Sequence, residues 1–294
     1  MVMTETYLKT QQVADALGVS VSSVKRWVDS GALEATRTLG RHRLVSLANA
    51  LQFARRENFP VDGLLAITVE PDLTVINDRL CGKLFGALKL GNEREASALI
   101  VAAYRSGPGI VEVADHLIRP VMERIGHGWL LGQWDVYEEH QATALIISTL
   151  AGINYTLIQS AQELRPLALG AASEGDPYVL PGLLAEIAVR EIGWDVRNFG
   201  GDLPLRSLAA ATRKHRPKMI FLTVSRIADR AKFISDYAYF YEAANQVGAA
   251  VILGGRALDP ELRSHLIFAS FGDRIAHLSE FARRMLPLSS TDQQ

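Results

Sequence analysis

The chain has 294 residues, 48% of them hydrophobic and 21% charged, enough for two or three globular domains with separate cores. Its single cysteine, Cys81, excludes an intramolecular disulfide and a cysteine-cluster metal site, and fits a reducing cytoplasm. The net charge of −1 hides an asymmetry, because residues 1–60 are +3 and the remainder −4, so a basic head precedes an acidic body and points to a polyanionic partner.

The first twenty residues carry Glu5, Lys9 and Asp15 in a polar, periodic stretch, which predicts no signal peptide. No apolar run approaches the ~20 residues of a membrane helix, so a cytoplasmic protein with no membrane partner is expected. Three patterns follow one another, giving expected domains at 1–60, 61–162 and 163–294.

In the head, Thr10–Leu17 reads as a short helix with Val13, Ala14 and Leu17 on one face. Gly18 supplies a turn, Ser20 can cap a second helix from Val21 to Ser30, and Gly31 stands where a C-terminal glycine belongs. Val24, Trp27 and Val28 take the core positions of that helix. Ser22, Ser23, Lys25 and Arg26 face outward, as groups that suit base edges and phosphates. Alternation around Leu39-Gly40 predicts a hairpin decorated by Arg37, Arg41, His42 and Arg43, suited to the duplex backbone or minor groove. Ser46 then caps a further helix with Leu47, Leu51 and Phe53. This order of helix, glycine turn, cationic helix and Arg-rich hairpin resembles the winged-helix heads of the MerR and excisionase families. The resemblance implies the Val21–Ser30 helix in the major groove of an operator, the wing beside it, and binding as a dimer or larger assembly.

The middle is helical, with periodic segments at Leu73–Leu90, Glu93–Ser106, Ile110–Leu131 and Asp135–Gln159. Asn92 is the expected cap of the second, Pro120 should kink the third, and short connections predict a four-helix bundle. From composition alone, Trp129 reads as a core anchor and Glu139 and His140 as a helix surface. Their spacing resembles the cap of CarH-type cobalamin-dependent repressors. There the helices lie over the upper face of the corrin, and the matching Trp and Glu shield its adenosyl group; Trp129, Glu139 and His140 match that signature.

Beyond Pro166, apolar runs at Leu167–Ala172, Asp195–Phe199, Met219–Val224, Ala249–Leu253 and Ala269–Phe271 alternate with helical stretches. That alternation predicts a parallel, flavodoxin-like (Rossmann-like) sheet with ligands at its carboxyl edge. The resemblance to cobalamin-binding domains continues in Gly200-Gly201-Asp202, in Thr223 and Ser225, and in Gly254-Gly255, where backbone would approach a ligand tail. Two departures from the family stand out. Its loop after the first strand reads Asp or Glu, any residue, His, two residues, Gly, and the His ligates cobalt; here Asp176 matches, Tyr178 takes the place of the His and Pro181 that of the Gly. Light-driven members have a His after the Trp, where this chain has Leu130. Tyrosine, with its pKa near ~10, is a poor cobalt ligand. Three expectations stay open: a cobalamin-type corrinoid bound without a histidine ligand; a haem, a bilin or a lipid-like molecule in its place; or a regulator that needs no ligand and acts through self-association.

The related mutases and methyltransferases need a separate catalytic domain, for which no segment remains, and no phosphate-cradling glycine loop or nucleophile–base set is legible. The chain is therefore expected to be a regulator, a repressor above all, rather than an enzyme; a corrinoid-carrying enzyme subunit is the less favoured alternative.

Overall fold

The computed structural model describes residues 6–37, 43–67, 75–159 and 165–286. The chain packs as two compact units, one of residues 1–107 and 121–152, the other of residues 108–120 and 153–294.

The first unit begins with β1 (Tyr7–Lys9), α1 (Thr10–Leu17) and α2 (Val21–Asp29). β2 (Thr36–Arg37), β3 (Arg43–Ser46) and α3 (Leu47–Arg56) follow. Gly18 turns the chain in the left-handed region at φ 68°, and the Ser20 hydroxyl accepts the N–H of Ser23, so α2 starts where the sequence placed it. Gly31, at φ 75°, follows the Ser30 cap. The Ser46 hydroxyl likewise accepts the Asn49 N–H at the start of α3. The head is not wholly helical: β1, β3 and β2 form an antiparallel sheet in that order, with Leu8 opposite Val45. Leu8, Val13, Leu17, Val24, Leu33, Val45 and Phe53 make its core.

The Phe59–Gly63 stretch, expected as a join, leads into a short helix α4 (Asp62–Ala66) that packs on α1. Gly63 permits this approach, since a Cβ there would lie 2.2 Å from the Ala16 carbonyl oxygen. α5 (Asp78–Lys89) is capped by Asn77, so the helix expected from Leu73 starts later; Leu73 itself lies outside the described residues. α6 (Glu93–Arg105) starts at Asn92 as expected and is buried along nearly every position from Ala96 to Ala103, so its apolar residues surround the whole helix.

The third expected helix is divided. α7 (Gly109–Glu112) and a π-helical segment (Val113–Ile118) pack in the second unit, and α8 (Arg119–Leu130) belongs mostly to the first. The irregular turn lies just before Pro120, whose ring and missing N–H cannot continue a regular hydrogen-bond ladder. α9 (Val136–Gln159) corrects the expectation on apolar length, because Val136–Ile158 is long and apolar enough to cross a membrane by length and composition. Its final turns hold Asn154, buried with Glu186 and Arg190 in a hydrogen-bonded group inside the protein.

The second unit is a five-stranded, all-parallel sheet. Its strands are β4 (Leu167–Ala172), β5 (Asp195–Asn198), β6 (Met219–Thr223), β7 (Ala250–Gly254) and β8 (Ser270–Gly272), in the order β5-β4-β6-β7-β8. Between them run α10 (Leu180–Glu191), α11 (Leu205–His215), α12 (Arg230–Val247) and α13 (Pro260–Arg263), and α14 (Ile275–Met285) closes the unit. One sheet face packs on α11 and α12 through Ile220, Leu222, Phe240 and Leu253. The other packs on α10 and α14 through Ala168, Trp194 and Phe221, with the Trp194 indole donating to the Ala282 carbonyl. Gly170 is required there, as a Cβ would lie 2.1 Å from the Phe221 ring. The Asp115 carboxylate accepts the N–H groups of Ile275 and Ala276, which caps α14 from the π-helical segment.

Candidate DNA-binding and ligand-binding sites

On α2, the buried Val24 and the half-buried Trp27 anchor one side, with the Trp27 ring 4.8 Å from Phe53 and 5.5 Å from Phe59. This orients Lys25 and Arg26 outward, and both are exposed. The hydroxyls of Ser22 and Ser23 both lie within hydrogen-bonding distance of the Ser20 hydroxyl, at 2.7 and 3.0 Å, so the start of α2 presents a hydroxyl cluster. Arg43 makes a forked ion pair with Asp29, its Nη2 lying 2.8 and 2.9 Å from the two carboxylate oxygens, which ties the base of the hairpin to the end of α2. Part of the Arg43 charge is therefore already satisfied by the protein. Arg37 belongs to β2, and Arg41 and His42 lie outside the described residues.

In the helical part, the two tryptophans around the α8–α9 turn have different surroundings. Trp134 is buried, with its ring 5.4 Å from Phe85, the Lys89 ammonium 4.4 Å from the ring centre, and Gly128 so close that a Cβ there would lie 2.7 Å from the ring. Trp129 is 48% exposed, which departs from the core-anchor reading of composition. Lys89 donates to the Gln133 carbonyl and to Glu138, and Glu138 accepts the Asp135 N–H. The Lys89 hydrogen bond, followed by the Asp135 amide, holds the Glu138 carboxyl below its ordinary range. This brace fixes the turn from which Trp129 and, one turn into α9, Glu139 and His140 project. Glu139 accepts from the Thr143 hydroxyl at 3.0 Å and has the His140 ring at 3.6 Å, with His140 largely exposed. Leu130 is exposed beside Trp129.

In the sheet unit, strand order reverses between β4 and β6, and the loops after these two strands form the crevice where such folds take ligands. Asp176 joins the two loops. Its side chain is 0% exposed and accepts N–H groups from Tyr178 in its own loop and from Ser225 and Arg226 in the other. With its oxygens occupied and no exposed surface, Asp176 positions the loops and has no face to offer a ligand. Tyr178 is 43% exposed, and the Arg256 guanidinium lies 5.4 Å from its ring centre. Arg256 also donates to the Ser225 carbonyl. Thr223 is buried and donates to the Ala171 carbonyl.

Gly254 and Gly255, read from sequence as making room for a ligand tail, have a nearer reason. A Cβ on Gly255 would lie 2.3 Å from the Val224 carbonyl oxygen, and one on Gly254 would lie 2.9 Å from that of Gly272. Their bareness serves the protein's own strand ends. Sequence reasoning missed Arg256, Asn198 and Ser173. Asn198 accepts the Gly200 N–H and sits within 3.5 Å of where a Gly182 Cβ would be. The Ser173 hydroxyl, at the end of β4, is buried with no hydrogen-bond partner. The signal for Arg256 was a cation directly after the glycine pair; a lone Asn or Ser at a strand end carries none.

The loop from Ser173 to Gly182 contains no histidine, and its outward-facing donors are the Tyr178 phenol and the Glu174 carboxylate, which pairs with Lys232. This donor set does not fit imidazole ligation of cobalt.

Residues 7–57 match the helix-turn-helix domain family, and residues 80–151 match the B12 binding domain family. A helix-turn-helix match is thus followed in the chain by a B12 binding match. In this it resembles the CarH-type regulators, and Trp129, Glu139 and His140 all fall within the matched B12 binding domain. No curated protein sequence matches the chain. Among solved structures, the monomethylamine corrinoid protein of Methanosarcina barkeri superposes with a TM-score of 0.59 at 13% identity, over 69% of this chain and 97% of that one. At that identity the likeness is one of fold. A cobalamin-binding protein from Desulfitobacterium hafniense DCB-2 gives 0.39 at 14% identity, over 72% and 100%. The methanol:cobalamin methyltransferase complex MtaBC from Methanosarcina barkeri gives 0.39 at 18%, over 90% and 92%. These last two superpositions are too loose to carry an argument.

Proposed function

We propose that this chain is a cytoplasmic, DNA-binding transcriptional repressor of MerR type, acting as a dimer or tetramer, whose B12-type module senses a ligand rather than catalysing a reaction. The functional modules run 1–60, 61–162 and 163–294. The observation that carries the reading is the domain order, with a helix-turn-helix match at 7–57 followed by a B12 binding match at 80–151. The exposed Lys25 and Arg26 on a helix braced by Val24 and Trp27 supply cations for a major groove.

The ligand is a corrinoid bound without a protein nitrogen on cobalt, because Tyr178 replaces the histidine and Leu130 offers no second one. The residues proposed for ligand binding are Trp129, Glu139, His140, Tyr178, Thr223, Ser225, Gly254 and Gly255, with Asp176 holding the loops after β4 and β6. Haem is the second reading, favoured by one observation: an exposed phenol beside an arginine is a donor suited to haem iron rather than to cobalt; a bilin is the metal-free alternative.

Selection of bound duplexes from a random-sequence pool by the full chain tests the DNA reading. A recovered motif whose binding Arg26→Ala weakens supports it, and a pool that never enriches overturns it. Incubation with adenosylcobalamin, haemin and biliverdin in turn, removal of unbound compound and an absorption spectrum test the ligand. A stoichiometric corrinoid spectrum with the base displaced by the protein would overturn the assignment at Tyr178.

A further inference from the structure

The sheet unit carries a concentration of positive charge that neither site uses. Residues 203–228 contain no Asp or Glu but hold Arg206, Arg213, Lys214, Arg216, Lys218 and Arg226. Arg206 is paired with Asp236, and Arg226 lies in the loop after β6. The other four gather where α11 ends and β6 begins, and all are exposed. Exposed Arg197, on the edge strand β5, joins them, with its Nη1 3.1 Å from Nδ1 of His215. A guanidinium has no lone pair, so it is the donor in that contact, and the two side chains hold each other beside the lysines.

The patch is built on stiff backbone. Arg216 closes α11 in the left-handed region at φ 46°, its N–H bonded to the Thr212 carbonyl, and the buried Pro217 follows. Arg213 lies over the Tyr239 ring at 5.1 Å and donates to its hydroxyl, which extends the guanidinium across α12. Among the described residues none of Arg197, Arg213, Lys214, Arg216 and Lys218 forms an ion pair. Asp195 stands two residues before Arg197 on β5, and the Glu242 carboxylate on α12 accepts from the Gln246 amide. These five exposed cations, without an ion-pair partner among the described residues, make a positive surface at the amino edge of the sheet, the edge opposite the β4 and β6 loops.

We propose that this face of the sheet unit binds the phosphate backbone of a DNA duplex, as a second, sequence-independent contact beside the helix-turn-helix domain. The proposal rests on the DNA-binding reading above, since a chain that already holds a duplex presents that polyanion to its other surfaces at high effective concentration. Three of the five cations are arginines, whose fork matches phosphate oxygens. Among the described residues, the patch has no exposed aliphatic anchor of the kind a membrane surface would require, and the aromatic Tyr239 is covered by Arg206 and Arg213.

The test uses the full chain and a labelled random-sequence duplex of about 40 base pairs, with affinity followed against salt. Each phosphate contact contributes about 0.9 to the slope of log K on log salt, so Lys214→Gln/Arg216→Gln/Lys218→Gln should lower that slope by about 2 to 3. A control that removes equal charge elsewhere, Lys83→Gln/Arg94→Gln/Arg283→Gln, should leave it near the parent value, and thermal melts check that both variants fold. An unchanged slope in the patch variant, or an equal fall in the control, overturns the proposal while leaving Arg26-dependent binding intact. Loss of phosphatidylglycerol-vesicle binding with an unchanged duplex slope overturns it in favour of a membrane. Absence of any duplex binding by the parent chain overturns the proposal together with the DNA-binding reading.

Discussion

The buried carboxylate of Asp176 accepts the backbone N–H of Ser225, so one side chain fastens the loop after β4 to the loop after β6. Any ligand resting on the carboxyl edge of this sheet rests on loops that share this fastening.

Asp176→Ala should therefore loosen both loops. It leaves the amides of Tyr178, Ser225 and Arg226 without their acceptor, and an unsatisfied buried group costs about 1–3 kcal/mol. The expected outcome is a lowered urea midpoint for the sheet unit, with duplex affinity of the head unchanged. A variant as stable as the parent would show that the amides find other partners.

At Gly170 the expectation is steric. Gly170→Ala places a methyl against the Phe221 ring, and overpacking of a core costs about 1–3 kcal/mol. Phe221→Leu combined with Gly170→Ala should recover part of that loss. Chemical denaturation of the single and double variants gives the coupling, and strict additivity would count against the contact.

Arg26 and Arg43 should behave differently in duplex binding. Arg26→Ala removes an exposed cation of α2, and a good base-contacting pair is worth about 1–3 kcal/mol of discrimination. Asp29→Asn releases Arg43 from its forked ion pair and should tighten non-specific binding in a gel-shift titration at low salt. Weaker non-specific binding by Asp29→Asn would mean that the ion pair holds the hairpin in its binding shape.

The sheet unit should also lose stability at both extremes of pH through one surface network. Hydrogen bonds from Lys232 and then Arg206 hold the Asp236 carboxyl below its ordinary range, and Asp236 and Glu174 raise the Lys232 ammonium. A depressed carboxylate contributes fully above its unfolded value of about 3.9 and loses that contribution as pH falls through the lower folded value. A raised lysine contributes fully below about 10.4 and loses it as pH rises through the higher folded value. Asp236→Asn should flatten the acid limb of a plot of urea midpoint against pH, and an unaltered limb would remove Asp236 from the explanation.

Much of this architecture was legible where local signals agree. Ser20, Gly18 and the spacing of Val24 and Trp27 mark the second helix of the head, and alternating runs from Leu167 to Phe271 mark the parallel sheet. What stayed hidden was fixed at a distance. Tyr7–Lys9 is too short to show alternation and becomes a strand by pairing with Arg43–Ser46. Asp62–Ala66 follows Pro60 and contains Gly63, both of which read as breakers, yet the glycine is what lets this helix approach α1. At the candidate site, the departures at Tyr178 and Pro181 stand in the sequence itself. The role of Asp176 as a fastener, and the crowding that explains Gly254 and Gly255, needed atoms from other loops.

The capping of α14 by Asp115 bears on how the protein can be dissected. A fragment beginning at residue 163 would hold every strand of the sheet, yet it would lack the carboxylate that covers the first N–H groups of its last helix. It would also lack the Ile110 N–H that the Glu191 carboxylate accepts and the Asn154 amide between Glu186 and Arg190. Because the polypeptide passes between its two units at 107/108, 120/121 and 152/153, no single cut parts them cleanly, and expression boundaries drawn from the strand pattern alone would yield a frayed product.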